Sequence, residues 1–287
     1  VIAEVNDQMP VVFGDNWMHI SEFDYFVEHS FAPPKYAPNV NPTEEEMTIA
    51  HYVTELIKDG DTIQMGIGAI SEATTSLLND KHDLGIITEM MVPSLPDLVE
   101  KGVITNKRKP LHTGTSLACF AIGDEKLYDY ITENVAAQIY PGSYTNNPHF
   151  IARHPNVVSM NNAVMIDLTG QIASEGIGHR MISGVGGQFD FQLGAFWSEG
   201  GRACTLIKSA KKMADGTLSS AIVPQLPPGT PVSVPRTFAD YIITEYGVAN
   251  LRYKSLIERA EALIAIAHPD LRAELREAAR KNLYPNL

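Results

Sequence analysis

The stretch TIQMGIGAISEATTSLLNDKHDLGII, residues 62–87, decides the fold. It opens on the short run TIQM, crosses a loop with Gly66 and Gly68, continues as SEATTSLLND, and ends on the apolar run LGII. The end runs are too short for helices, whereas the middle has helical length and spacing, so the order is strand, helix, strand. A helix between two neighbouring strands makes a βαβ unit and a parallel pair. Downstream the alternation repeats: LGII is followed by a helical SLPDLVEKG, and SLACFAIG by a helical DEKLYDYITEN. The expected class is α/β, a mostly parallel sheet with helices on both faces.

Upstream, TEEE offers a capping box, with Thr43 as N-cap and Glu46 three residues on. Met47, Ala50, Val53 and Ile57 then recur at helical spacing until Lys58 and Gly60 close the element. Residues 31–42 contain four prolines, which no helix or central strand accommodates, so residues 33–42 read as a linker. Residues 1–5 read as a strand, followed by an irregular segment to residue 30. NVVSMNNAVMIDLTGQIAS, residues 156–174, is β-rich with a turn at Thr169-Gly170 and suggests an antiparallel insertion. The end, from SLIERAEALIAIAHPDLR onward, is helical; Pro269 suits a first turn and basic residues gather near the C-terminus.

The 287 residues carry a formal net charge of −12 with 44% hydrophobic residues, an ordinary composition for a globular protein. A negative chain is a poor partner for nucleic acid, and the one basic cluster, NKRKP at residues 106–110, reads as a solvated turn. No apolar run approaches the ~20 residues of a membrane helix, and VIAEVNDQMP has no signal-peptide pattern. Two cysteines form no disulfide framework, which fits a cytoplasmic location, and Cys119 reads as a small core hydrophobe. The histidines never adopt metal-ligand spacing, so no metal site is expected. Val1 is not a methionine, and VIAEVN reads like the middle of a fold, so a longer polypeptide or a companion N-terminal fragment is expected.

In parallel sheets, ligands lie beyond the carboxyl ends of the strands. Three features fall there: the glycine loop, Glu89 two residues past LGII, and the cluster SGVGGQFDF at residues 183–191. Gly66 and Gly68 do not complete a dinucleotide fingerprint, because residue 71 is Ser71, and no P-loop Lys follows. The loop is either a packing turn or a surface on which a cofactor lies. Gly184, Gly186 and Gly187 could present N–H donors to an oxyanion, or simply turn the chain into a helix. Glu89 is either tied to nearby N–H groups or a base or nucleophile. Glu245 in ITEYG follows an apolar run in the same way and rivals it by pattern.

AEVNDQMP, LIKDGDTIQMGIGAI, LGIITEM, DLTGQIASEGIG, ISGVGGQFDF and the long C-terminal segment from ADYIITEYGVANLRYKSLIERA, taken in order, resemble the acetyl-CoA hydrolase/transferase family, and within it the 4-hydroxybutyrate and butyrate CoA-transferases. The resemblance implies a CoA-transferase domain of the NagB/RpiA-like type over residues 43–287. It makes residues 1–32 the end of an otherwise absent N-terminal α/β domain. It implies that Glu89 is the nucleophile and Gly187 the oxyanion-hole glycine, leaving Glu245 a structural role. Gly66, Ile67, Gly68, Ala69 and Ile70 would lie against CoA, with Val164, Ser183, Gly186 and Lys211 beside it; Lys208 and Lys212 blur the register of Lys211. The implied activity moves CoA between short-chain acids, with acyl-CoA and a carboxylate as substrates, no permanently bound cofactor, and a homo-oligomeric assembly such as a homodimer. Hydrolysis of the acyl-CoA by the same glutamate and a non-catalytic CoA-binding subunit are the alternatives. Ile87, where the family has histidine, and Val92-Pro93-Ser94, where it has Ser-Asp-Gly, depart from the pattern beside the nucleophile.

Overall fold

The computed structural model describes residues 1–36, 41–66 and 68–283, so residues 37–40 of the proline-rich linker lie outside the described residues. Its centre is a six-stranded sheet. In chain order the strands are β1 (Thr62–Met65), β2 (Gly85–Ile86), β3 (Val157–Asn162), β4 (Arg202–Leu206), β5 (Tyr241–Thr244) and β6 (Gly247–Asn250). Across the sheet the order is β6-β5-β4-β3-β1-β2. The first five strands are parallel, and β6 turns back antiparallel on β5 at one edge.

Helix α1 (Glu44–Leu56) begins on Thr43: its hydroxyl accepts from the Glu46 N–H while the Glu46 carboxylate accepts from the Thr43 N–H. Helix α2 (Ala69–Ser76) carries the chain from β1 to its neighbour β2, the βαβ unit expected of residues 62–87. Gly68, at φ +113°, makes the sharp entry to α2 that a side chain would oppose. On the other face lies α3 (Gln188–Trp197), and the chain ends in α4 (Leu256–Ala265) and α5 (Arg272–Asn282).

Alternation along the strands sorts the core into layers. Val158 and Met160 of β3, with Cys204 and Leu206 of β4, pack into one cluster with Ile49 and Val53 of α1. Their neighbours Val157 and Ala203 pack into another, with Phe191 and Ala195 of α3. A third cluster joins Ile242 and Ala249 at the sheet edge to Leu263 of α4 and Leu275 of α5.

Four expectations need correction. Residues 156–174 are not wholly an antiparallel insertion: β3 is a central parallel strand, and the antiparallel hairpin is confined to Met165–Asp167 and Ile172–Ala173. An apolar run looks the same in either setting; pairing decided it. Residues 1–30 are not irregular after the first strand, because Tyr25–Glu28 pairs in parallel with Ile2–Val5. That pair forms a two-stranded sheet apart from the central one, with Ile2, Tyr25, Phe26 and Val27 exposed.

NKRKP is a solvated turn only in part: Lys107, Arg108 and Pro110 are exposed, whereas Asn106 and Lys109 are buried. Lys109 is 2% exposed, its stem packs over Gly85, and its Nζ donates to Ile86 O (2.9 Å) and Thr115 O (2.6 Å). Asn106 joins it, accepting from the Ile86 N–H at 2.8 Å. A strand as short as β2 leaves main-chain groups without strand partners, and these side chains satisfy them. Burial pushes the Lys109 ammonium down to about 7. Finally, Cys119 is only half-buried and sits beside the candidate site, not in the core. Among the described residues no helix is long and apolar enough to cross a membrane.

Candidate active site

Past β2 the chain leaves the main sheet and joins a smaller one. Ile87 bridges to Leu117, and Met90–Met91 pairs with Phe120–Ala121. Between these contacts Glu89 O accepts from both Cys119 N–H (2.9 Å) and Phe120 N–H (3.1 Å), two residues against one. This local bulge re-aims the side chain. Thr88 pins the approach, its hydroxyl donating to Met65 O at the end of β1 and its N–H to Leu117 O. The backbone is therefore clamped while the carboxylate projects, half-buried, into a cavity of about 340 Å³.

Two donors hold that carboxylate. The Gly187 N–H donates to Oε2 at 3.1 Å, and the Asn146 side-chain amide donates to Oε1 at 3.3 Å. Gly187 is the N-cap of α3, so Glu89 also lies at the positive end of a helix dipole. A Cβ on Gly187 would fall 2.5 Å from Asn146 Nδ2 and 2.7 Å from Glu89 Oε2, so any side chain there would displace one or both of these groups. Asp190, in the first turn of α3, has its carboxyl pushed up by burial and then by Glu89; the Cys119 thiol is pushed up by the same two causes, with Thr145 opposing.

The cavity brings together five of the expected residues: Gly66, Glu89, Ser183, Gly186 and Gly187. Gly68, Ala69 and Ile70 stand behind Gly66 at the start of α2, Ile70 being buried in the core, and Ile67 lies outside the described residues. Gly68, Ala69 and Ile70 do not line it, and neither do Val164 and Lys211. Val164 is half-buried against Met165, Ala173 and Leu226. Lys211 is exposed on the hairpin of Ala210–Lys212 with Leu218–Ser220, while its neighbour Lys208 is tied to Glu46 at 2.7 Å. The rival Glu245 is occupied in closing a loop, its two oxygens accepting from the Ser209 N–H (2.9 Å) and hydroxyl (2.5 Å).

Sequence reasoning missed Asn146. It lies 57 residues from Glu89, in the turn of YTNNP, and nothing local to that turn signals a partner. The polar floor was missed too: Gln64 Oε1 accepts from Asn161 Nδ2 at 2.9 Å, and both side chains line the cavity. Polar residues inside the runs TIQM and VVSMNN were the available signal. Among the described residues no three His, Cys, Asp or Glu side chains cluster as metal ligands would.

A carboxylate thus projects into a cavity between a backbone donor and a side-chain amide. Residues 123–279 match the acetyl-CoA hydrolase/transferase C-terminal domain, and the chain belongs to that family. It is 44% identical to the 4-hydroxybutyrate coenzyme A transferase of Clostridium kluyveri over 98% of this chain and 65% of that protein. It is 42% identical to the succinyl-CoA:cyclohexane-1-carboxylate CoA transferase of Geobacter metallireducens, over 98% of this chain and 63% of that one. The chain thus spans a little under two thirds of these relatives. Among solved structures, RipA from Yersinia pestis superposes with a TM-score of 0.87 at 42% identity, over 98% of this chain and 62% of RipA. A 4-hydroxybutyrate CoA-transferase from Porphyromonas gingivalis superposes with a TM-score of 0.83 at 38% identity, over 98% of this chain and 66% of that one.

Proposed function

We propose that the chain carries the catalytic glutamate of an acyl-CoA:carboxylate CoA-transferase acting on short-chain acids, with Glu89 as nucleophile. The observation that carries this reading is the Glu89 carboxylate, backbone clamped and side chain presented to a cavity between the Gly187 N–H and the Asn146 amide. Glu89 attacks the thioester carbonyl, giving an acyl-glutamyl anhydride and the CoA thiolate. The thiolate attacks the glutamyl carbonyl, the donor acid leaves as its carboxylate, and a glutamyl-CoA thioester remains. A second carboxylate reverses the two steps and departs as the new CoA ester. Splitting the exchange in this way gives ping-pong kinetics.

Each step passes through a tetrahedral oxyanion. The donors that now hold the Glu89 carboxylate are placed to hold that oxygen, and one such donor is typically worth about 3 kcal/mol of barrier. Ser183, Gly186, the glycine loop and Lys211 would contact CoA. The sequence similarity to named CoA-transferases supports transfer over hydrolysis, since an acetyl-CoA hydrolase of Candida albicans is more distant, at 28% identity. Residues 1–32 are read as the end of an N-terminal α/β domain, and the working enzyme as a cytoplasmic homo-oligomer with no permanently bound cofactor.

Borohydride reduction after acyl-CoA exposure tests the mechanism. The expected result is loss of activity and a mass change on the peptide holding residue 89. An unchanged peptide sinks the covalent reading, and CoA release without any acceptor acid replaces transfer by hydrolysis.

A further inference from the structure

The carboxyl ends of the parallel strands face Glu89; the opposite edge of the sheet carries a second hollow, of about 530 Å³. Helix α3 joins the two, with Gly187 at one end and Phe196 at the other, ~1.5 Å of rise per residue apart. Four cations wall the hollow: Arg236, Arg252, Lys254 and Arg259. Among the described residues no carboxylate lines it, in a chain whose net charge is −12.

Arg259 is only 9% exposed, yet among the described residues its guanidinium donates to main-chain oxygens, those of Lys254, Thr169 and Arg236. A guanidinium keeps its charge when buried, and burying a charge without a counter-ion is costly. Burial and the Arg236 cation both push the Arg259 guanidinium down. Arg252 lies flat over the Phe196 ring at 4.0 Å and donates to Phe196 O at 2.6 Å; its Nε is buried and, among the described residues, has no partner. Asp240, within electrostatic reach of Arg252, uses one oxygen to accept from the Ala203 N–H while the other is buried without a hydrogen bond among the described residues. Glu258, within electrostatic reach of Lys254, is taken by Ser255. Ser255 is the N-cap of the ten-residue α4, and its N–H and hydroxyl both donate to the Glu258 carboxylate. At the rim Tyr253 is held at φ 63°, an unfavourable conformation for a bulky residue and one that tends to mark binding regions.

We propose that this hollow is a binding site for a phosphate-type dianion, either inorganic phosphate or the phosphoryl group of a small phosphomonoester, separate from the Glu89 cavity. Guanidinium forks suit tetrahedral oxyanions in paired hydrogen bonds. The hollow lies within the ~300–1,000 Å³ of small-molecule sites, which leaves room for more than the phosphoryl group alone.

Calorimetric titration of the intact 287-residue chain tests this, with inorganic phosphate in one arm and glycerol 3-phosphate in the other. Saturable binding in at least one arm is expected, the tighter arm identifying the source. Saturating CoA should leave it unchanged, and Arg236→Gln with Lys254→Gln should weaken it about tenfold or more. Arg259→Gln is unsuitable because that side chain also ties three carbonyls together. The proposal falls if neither anion saturates, if the double variant binds as tightly, or if CoA displaces the anion. It falls equally if the charge changes abolish only a concentration-dependent self-association, which would make the hollow a contact for acidic side chains of a second copy.

Discussion

At Glu89 the contacts seen in the fold are, on the proposed mechanism, also those the chemistry would use. The carboxylate caps the start of α3 through the Gly187 N–H, and that donor is the one an oxyanion would use. Asn146→Ala removes one of two donors and leaves the backbone intact; kcat is expected to fall about 10²-fold or more with a small change in KM. Gly187→Ala is expected to do more harm, because its methyl would meet both Asn146 Nδ2 and Glu89 Oε2. Steady-state kinetics beside a thermal melt checks both: activity should collapse while the melting midpoint moves little. A large fall in midpoint with proportionate activity would instead make Gly187 a packing glycine. Of the candidate site, Glu89 and the glycine cluster were legible as candidates from local patterns, but Glu245 fitted the same pattern and only the family resemblance separated the two. Asn146 was not legible, since only the fold brings it to a residue 57 positions away.

At the scale of elements, β2 shows how a short strand is held. Two ladder residues cannot satisfy their surroundings, so the Lys109 ammonium and the Asn106 amide do so from the following loop. The Lys109 ammonium is pushed down to about 7 in the folded chain. Between that value and the ordinary lysine range near 10.4, the unfolded chain binds the extra proton, so this residue makes stability rise with pH across that window. Lys109→Met should remove that rise whatever its net cost, which urea midpoints at pH 7 and pH 9 would measure; an unchanged pH slope counts against the buried ammonium. Helix α1 offers a simpler case. Thr43→Ala opens the capping box and should lower stability by about 1 kcal/mol in the same assay. Strand, helix and cap signals of this kind could be read locally, whereas the burial of Lys109 could not, because Lys107 and Arg108 beside it stay exposed and nothing local sets the third cation apart.

On the scale of the whole molecule, the central sheet and the N-terminal pair are unequal. β3 and β4 sit in the middle of six strands with cores on both faces, whereas the pair Ile2–Val5 and Tyr25–Glu28 has two strands and exposed apolar side chains. A parallel sheet is normally covered on both faces, and two strands alone are marginal. Hydrogen exchange of the isolated chain should therefore find amides of residues 2–5 and 25–28 exchanging far faster than those of β3 and β4. Equal protection would mean that the segment is covered in solution.

The sequence by itself determined the βαβ alternation, the capping box on Thr43, the glycine-flanked strand ends and the family to which the chain belongs. Each is written in neighbouring residues or in ordered motifs. Tertiary structure alone decided that residues 157–162 run parallel through the middle of the sheet, that Asn146 faces Glu89, that Lys109 is buried, and that four cations from separate segments share one hollow. The physical reason is that hydrogen-bond pairing and charge proximity depend on distances across the fold, which spacing along the chain does not encode.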